Sequence, residues 1–291
     1  MSKSKILIQL DPDSQPSTFD SVVAIDSGVD HLFRHKAVTE SEVEGIVHGA
    51  IFTRGTDDLK STALFFGGSN VGATEALVAK AKSSFFGPMR VSLMSDPNGC
   101  NTTAAAAVIC AQKHIDLDDK TVTIVAGTGP VGMRIAHLIA GPATKGENTQ
   151  IKICSRRLSK AEDICQQLEE QVPAGKFLPC EMGDSDQTDS AVSNAHVVFA
   201  AGAAGIELLD KRWQSLPNLK VAIDLNGVPP TGIAGISVFD KAKEIEGTLC
   251  YGAIGVGGLK IKIHKRAVEL LFQSNAQTLE VEEIFAIGQK I

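Results

Sequence analysis

The sequence predicts an α/β protein, a doubly wound parallel-sheet domain plus a second α/β domain with the active site in the cleft between them. Three observations carry this reading. The chain of 291 residues is long enough for two domains with sizeable cores. Six apolar runs, near 121–126, 150–154, 177–181, 196–200, 219–225 and 248–253, alternate with helical stretches, as strands of a parallel sheet do with their crossover helices. A glycine-spaced turn, Gly127-x-Gly129-x-x-Gly132, joins the first of these runs to a helical pattern.

The first half reads as strand Lys5–Leu10, a helix over about Ser17–Ile25 and a short extended piece near His31–Ala37. "TESE" at Thr39–Glu42 has capping-box spacing and opens a helix running towards Gly49. Strand Thr62–Phe66 ends in Gly67 and Gly68, helix Ala73–Ser84 follows, and strand Arg90–Met94 leads into "SDPNGCNTTAAAA". Ala104–Ala111 is strongly helix-forming and is expected to bridge the halves. After the sixth strand, "GVGGLKIKIHKRAVELLFQ" fits strand alternation at Leu259, Ile261 and Ile263, and also one side of a helix; the glycines and the following "RAVELLF" favour helix. Domains are expected at 1–103, joined by a C-terminal helical segment 268–291, and at 104–267.

The glycine turn is a phosphate-binding candidate. Thr121–Ala126 suits a strand buried on both faces, and Met133, Ala136, His137 and Ala140 continue at helical spacing. In such a Rossmann-type turn Gly127 permits the tight bend, Gly129 lets backbone approach a pyrophosphate, and Gly132 lets the helix pack on the strand. Thr128, Pro130 and Val131 sit where a helix N-terminus offers its unpaired N–H groups and partial positive charge to phosphate. The second strand then ends in "SRRLSK", Ser155–Lys160. A carboxylate there would accept from a ribose 2′-hydroxyl. Ser155, Arg156, Arg157 and Lys160 instead suit a 2′-phosphate, so NADP is expected, with NAD possible. A solvated basic loop is the plainer alternative. Ala201, Gly202 and Asn226 complete the expected cofactor set.

Composition limits the rest. A hydrophobic content of 43%, 21% charged residues and a formal charge of −6 describe an ordinary globular protein and argue against nucleic acid or anionic membrane partners. The opening "MSKSKILIQLDPDSQPS" has too short an apolar run for a signal peptide or span. Six cysteines without a CxxC pair point to free thiols in a reducing cytoplasm. Seven histidines show no clustered ligand spacing, so no metal site is expected.

Seven segments together resemble the NAD(P)-dependent methylene-tetrahydromethanopterin dehydrogenases of bacterial one-carbon metabolism. They are "PSTFD" at Pro16–Asp20, "IFTRG" at Ile51–Gly55, "NGCNTTAAAA" at Asn98–Ala107 and "AGTGPVGMR" at Ala126–Arg134. "AGAAGIELL" at Ala201–Leu209, "PPTGIAGI" at Pro229–Ile236 and "GAIGVGGLKIKIH" at Gly252–His264 complete the set. They span nearly the whole chain in the same order. The chain departs from the family pattern at "GPATKGENTQ", Gly141–Gln150, a longer link into the second strand. It departs again at Ser155 and Arg157, which stand where the family has glycine and lysine.

The resemblance implies oxidation of the methylene bridge of a reduced pterin to a methenyl bridge, with hydride passing to the nicotinamide, by an enzyme assembled from several copies. The bridging carbon lies between two nitrogens whose lone pairs stabilise the cation left behind, so no base, nucleophile or metal is needed. Catalysis then rests on placing that carbon and suiting the local field to the developing charge. Thr18 and Asp20, with Asn98, Asn101 and Thr102, are the expected pterin-binding residues, although helix capping and turn formation use the same residue types. Lys260 is the expected catalytic residue, while Lys262 and His264 read as a solvated cationic face.

Two other functions compete. A folate dehydrogenase–cyclohydrolase resembles this layout but uses a tyrosine and lysine one helical turn apart in its N-terminal half; the sole tyrosine here is Tyr251. A non-enzymatic NADP-sensing protein would have little use for the asparagine segment or Lys260.

Overall fold

The computed structural model describes residues 3–144 and 148–291. Lys145–Glu147, inside the long link Gly141–Gln150, lie outside the described residues. The chain divides into two compact units, Met1–Thr102 with Ile261–Ile291, and Thr103–Lys260.

The first unit runs β1 (Ile6–Leu10), α1 (Thr18–Asp26), β2 (His31–His35), α2 (Glu40–Ile51), β3 (Thr62–Phe66), α3 (Val71–Ser83) and β4 (Ser92–Ser95), and then enters α4 (Cys100–Gln112). β3 and β4 are buried at every position, as an interior strand requires, whereas the polar β2, "HLFRH", is exposed and forms an edge. The capping box that opens α2 is present: the Thr39 N–H donates to Glu42 Oε2 at 2.8 Å. Leu10, Val43, Val47, Leu64, Phe66, Leu77 and Leu93 form the core. Each such side chain adds about 1.5–3 kcal/mol by leaving water.

The second unit runs β5 (Thr121–Val125), α5 (Pro130–Ala140), β6 (Gln150–Ser155), α6 (Leu158–Gln171), β7 (Lys176–Glu181), α7 (Ser185–Val192), β8 (Val197–Ala200), β9 (Val221–Asp224), β10 (Lys241–Ile245) and β11 (Thr248–Tyr251). Its sheet has the order β10-β11-β9-β8-β5-β6-β7. Six of these strands are parallel, and β10 adds an antiparallel edge through a hairpin with β11. The sequence reading missed β10, because its turn places Glu246 at φ 47° and Gly247 at φ 77°. Two left-handed residues suit a tight hairpin, but Asn or Asp is the usual signal at the first. Trp213, Leu219, Ala222, Val198 and Val125 belong to this unit's core.

The ambiguous segment after β11 is helix, α8 (Ala253–Leu270). The chain ends with β12 (Thr278–Leu279) and α9 (Val281–Gly288), so the tail carries a short strand besides helix. β12 pairs parallel to β4, giving the first unit's sheet the order β12-β4-β3-β1-β2. Among the described residues no helix is long and apolar enough to cross a membrane.

Candidate active site

In the second unit, β5 delivers the chain to the point where strand order reverses, since its neighbours are β6 on one side and β8 on the other. Such switch points are where parallel sheets bind nucleotides. Ala126 leaves the strand at φ 53°, the Gly127 N–H donates to Cys154 O at 2.9 Å, and Gly129 is the N-cap of α5 with Pro130 at its first position.

The three glycines have separate reasons. A β-carbon on Gly127 would lie 2.7 Å from Ile124 O, and one on Gly132 would lie 2.5 Å from Gly127 O. Both glycines are therefore required by the chain's own packing. A β-carbon on Gly129 would find its nearest atom, Ala201 O, 4.0 Å away. Protein packing does not require that glycine, and the open space over it is a cradle that a side chain would fill. Helix geometry leaves the N–H groups of Val131 and Gly132 without intrahelical acceptors beside it.

A cavity of about 290 Å³ adjoins this turn, lined by Ala126 and Thr128 from the turn and by Ser155, Arg156, Arg157 and Lys160 from the end of β6 and the start of α6. Arg156, Arg157 and Lys160 are exposed. Ser155 Oγ accepts the Arg157 N–H at 3.3 Å, which leaves its own proton to donate. Met182, Thr188, Ala203, Ile206, Glu207 and Leu208 complete the wall. Met182 and Thr188, which follow β7, carry no sequence signal, and Ala203, Ile206, Glu207 and Leu208 lie in the segment Ala201–Leu209 that carries the family resemblance, where only Ala201 and Gly202 were expected at the cofactor. The donor set fits a phosphorylated dinucleotide: three cations and a hydroxyl where a ribose-binding carboxylate would otherwise stand.

Ala201 and Gly202 follow β8 beside the turn; the Ala201 N–H donates to Val125 O at 3.1 Å. Asn226 is buried, and its side chain is occupied by the chain itself. Its Oδ1 accepts from Gly205 N at 3.3 Å and Val228 N at 3.0 Å, and Nδ2 donates to Pro230 O at 3.2 Å. It fixes two loops. Asp224, at the end of β9, accepts from Asn226 N at 2.9 Å and Ile233 N at 2.8 Å. Burial pushes its carboxyl above the ordinary value, against those backbone bonds. Tyr251 is a strand residue bonded to His114 Nε2 at 2.7 Å, and burial pushes its hydroxyl up to about 12.

In the first unit, one residue past each of three strands carries the second set of groups: Asp11 after β1, Gly67 after β3 and Asp96 after β4. Asp20, in the first turn of α1, is buried, and a β-carbon on Gly67 would lie 3.3 Å from Asp11 Oδ2 and 3.4 Å from Asp20 Oδ2. Burial raises the Asp11 carboxyl, partly offset by the N–H groups of Asp13 and Ser17. Thr18 is exposed at the start of α1. Asn98 is exposed and left-handed at φ 52°, and donates its N–H to Gly68 O at 2.7 Å.

Asn101 and Thr102 lie deeper than the sequence suggested. Asp96 Oδ1 accepts the N–H groups of Asn101 at 2.9 Å and Thr102 at 3.1 Å, and Oδ2 accepts the Thr102 hydroxyl at 2.6 Å. Asn101 Nδ2 donates to Ser95 O at 2.6 Å. His264 is not on a solvated face. It is 1% exposed, stacks on Phe65 with ring centres 5.6 Å apart, and brings Nδ1 to 3.7 Å from Asp96 Oδ2. Lys262 is exposed and Lys260 half-buried, both on α8. Asp11 and Asp96 escaped sequence reading, and the burial of His264 with them, because single Asp and His residues carry no spacing signal.

Comparison with known proteins identifies the family and the fold. Residues 18–98 match the family described as methylene-tetrahydromethanopterin dehydrogenase, N-terminal. The chain is 41% identical to bifunctional protein MdtA of Methylorubrum extorquens over 294 aligned positions, covering 100% of both chains. It is 30% identical to the NAD(P)-dependent methylenetetrahydromethanopterin dehydrogenase of the same organism, covering 92% of each. In fold it is similar to shikimate 5-dehydrogenase from Listeria monocytogenes, solved with shikimate and NAD, at a TM-score of 0.53 and 14% identity over 98% of this chain and 96% of that one. An enzyme with two α/β units and a nucleotide-type switch point is thus described, and the chain belongs to the methylene-tetrahydromethanopterin dehydrogenase family.

Proposed function

We propose that this chain oxidises methylene-tetrahydromethanopterin to the methenyl form with NADP as hydride acceptor, in the cytoplasm. One observation carries the cofactor choice: Ser155, Arg156, Arg157 and Lys160 line the cavity at the end of β6, where an NAD site places a carboxylate. Gly129 and the first turn of α5 hold the pyrophosphate, and the cations with Ser155 hold the 2′-phosphate. The bound nicotinamide supplies the hydride acceptor.

The chain's own work is placement. Loss of hydride from a carbon between two nitrogens leaves a stabilised cation, so no proton has to be removed from that carbon. Thr18, Asp20 and Asn98 orient the pterin. Asn101 and Thr102 act one step back, holding Asp96 and the end of β4. Lys260 bonds the pterin and shapes the field around the reacting carbon.

The 41% relative is described as bifunctional, so a second activity of this chain is a reading to test. A cyclohydrolase step through tyrosine is not supported, since the Tyr251 hydroxyl is bonded to His114. The test is a spectrophotometric assay of the purified chain with NADP or NAD, each paired with methylene-tetrahydromethanopterin or methylene-tetrahydrofolate. NADPH formation with the methanopterin substrate is the expected result. Absence of reduced cofactor in all four pairings would overturn the proposal.

A further inference from the structure

Two cysteines face each other beside the cation cluster. In the β6–β7 ladder Cys154 pairs with Cys180, one step before Ser155 pairs with Glu181. Paired residues on neighbouring strands point to the same face; the Cys180 thiol donates to Leu178 O at 3.8 Å, and the Cys154 thiol stands where it can donate to the Cys180 sulfur once that sulfur is ionised. Neighbouring strands lie about 4.8 Å apart, within the Cα separation a disulfide spans. β7 is the sheet edge, and Cys180 is half-buried while Cys154 is fully buried. One thiol is therefore reachable and the other waits behind it.

Their chemistry differs in the same sense. The Cys154 hydrogen bond, helped by Lys152, brings the Cys180 thiol down to about 7, which favours its thiolate over those of the other cysteines. Cys154 is held well above the ordinary thiol value by that bond and by burial. Cys165 and Cys250 are pushed up to about 12, chiefly by burial, and Cys110 is raised by burial as well. Attack on a disulfide falls to Cys180.

The pair is also wired to the cavity. Cys154 O accepts the Gly127 N–H at 2.9 Å, and Ser155 O accepts the Met182 N–H at 2.8 Å. Drawing the two β-carbons to the ~3.8 Å a disulfide needs moves both strand ends, and with them the glycine turn and the start of the cation loop.

We propose that Cys180 and Cys154 form a thiol–disulfide exchange site for low-molecular-weight disulfides of the oxidised-glutathione class, and that its oxidation weakens the dinucleotide cavity. The second half of this rests on reading the cavity as the NADP site. The Cys180 thiolate attacks one sulfur of the small disulfide, breaking its S–S bond, forming a mixed disulfide and releasing one thiolate. Cys154 then gives up its proton and attacks the Cys180 sulfur, forming the Cys154–Cys180 bond and releasing the second thiolate. Two protein thiols are oxidised by two electrons, one small disulfide is reduced to two thiols, and the protons of the cysteines end on those thiols.

The test treats the intact protein with oxidised glutathione, maps its peptides by mass spectrometry and measures NADP binding by calorimetry. A peptide joining Cys154 to Cys180 is expected, with a rise of about tenfold in the NADP dissociation constant, the loss of one charge-assisted contact. A thiol reductant should reverse both. Cys180→Ser should give no joined peptide and an NADP affinity indifferent to the oxidant. Cys154→Ala should trap glutathione on Cys180. Modification of other cysteines with Cys180 untouched would overturn the exchange site, and a joined peptide with unchanged NADP affinity would overturn its link to the cavity. Failure of the reduced protein to bind NADP would instead overturn the cofactor reading, while the peptide map still decides the exchange chemistry.

Discussion

A β-carbon on Gly132 would stand 2.5 Å from the carbonyl oxygen of Gly127, so the first turn of α5 and the end of β5 are packed backbone to backbone. Gly129, between them, has a 4.0 Å clearance and φ −87°, which any residue adopts. Gly132→Ala is therefore expected to destabilise the fold by roughly 1–3 kcal/mol, the cost of overpacking. Gly129→Val should unfold at nearly the wild-type urea midpoint yet lose NADP binding. Calorimetry showing undiminished NADP binding by Gly129→Val would remove the pyrophosphate from this turn.

Arg156 and Arg157 should discriminate between cofactors. Replacing both with alanine removes charge-assisted bonds to a 2′-phosphate, with exposure reducing their worth. The KM for NADP should rise about tenfold or more, while that for NAD changes by less than about threefold. Equal changes for the two cofactors would contradict the assignment.

Lys260 should act on the pterin side. In Lys260→Gln, turnover is expected to fall by roughly one to three orders of magnitude with NADP affinity unchanged. Weak NADP binding with normal turnover at saturation would place this lysine with the cofactor.

Asp96 should matter to folding more than its neighbours. Its carboxylate accepts two N–H groups and one hydroxyl in a fully buried place. Asp96→Ala strands both N–H groups, leaves the Thr102 hydroxyl only Gly99 O at 3.3 Å, and should cost roughly 3 kcal/mol in urea unfolding, against about 1 kcal/mol for Thr102→Val. Equal losses would show that the hydroxyl alone anchors the start of α4.

Asp224 gives stability a pH dependence of known sign. Burial raises its carboxyl above the ordinary value, so the folded protein holds the proton to higher pH than the unfolded chain does. The resulting stability is complete below about pH 4 and is lost as pH rises through the folded value. Asp224→Asn cannot titrate. Its urea midpoint should improve relative to wild type between about pH 4 and pH 7, whatever fixed cost the amide brings. A constant difference across that range would mean an unshifted carboxyl.

Local chemistry made much of this molecule legible in advance. The capping box of Thr39 and Glu42, the β-branched and apolar runs of β3 and β5, and the glycine turn each state their structure over a few residues, because backbone sterics and side-chain patterning act at short range. "SRRLSK" was legible for the same reason: a strand followed at once by a helix puts its connecting residues at the sheet's carboxyl end. The β10 edge was not, because Glu246 in a left-handed turn contradicts the usual turn residues and only pairing with β11 holds it there.

The sequence by itself thus determined the α/β class, the glycine turn after β5 and the cluster of cations after β6, all of them properties of contiguous segments. Tertiary structure decided which polar groups stay at the surface and which are occupied by the chain. Asn226, Asn101 and Thr102 looked like binding residues and are held by internal bonds, while His264 looked solvated and is stacked on Phe65 beside Asp96. Cys154 and Cys180 are 26 positions apart in the chain and become neighbours only through the β6–β7 register. The physical reason is that burial and partnership arise from segments distant in sequence, and a buried polar group must find its partners wherever the fold brings them.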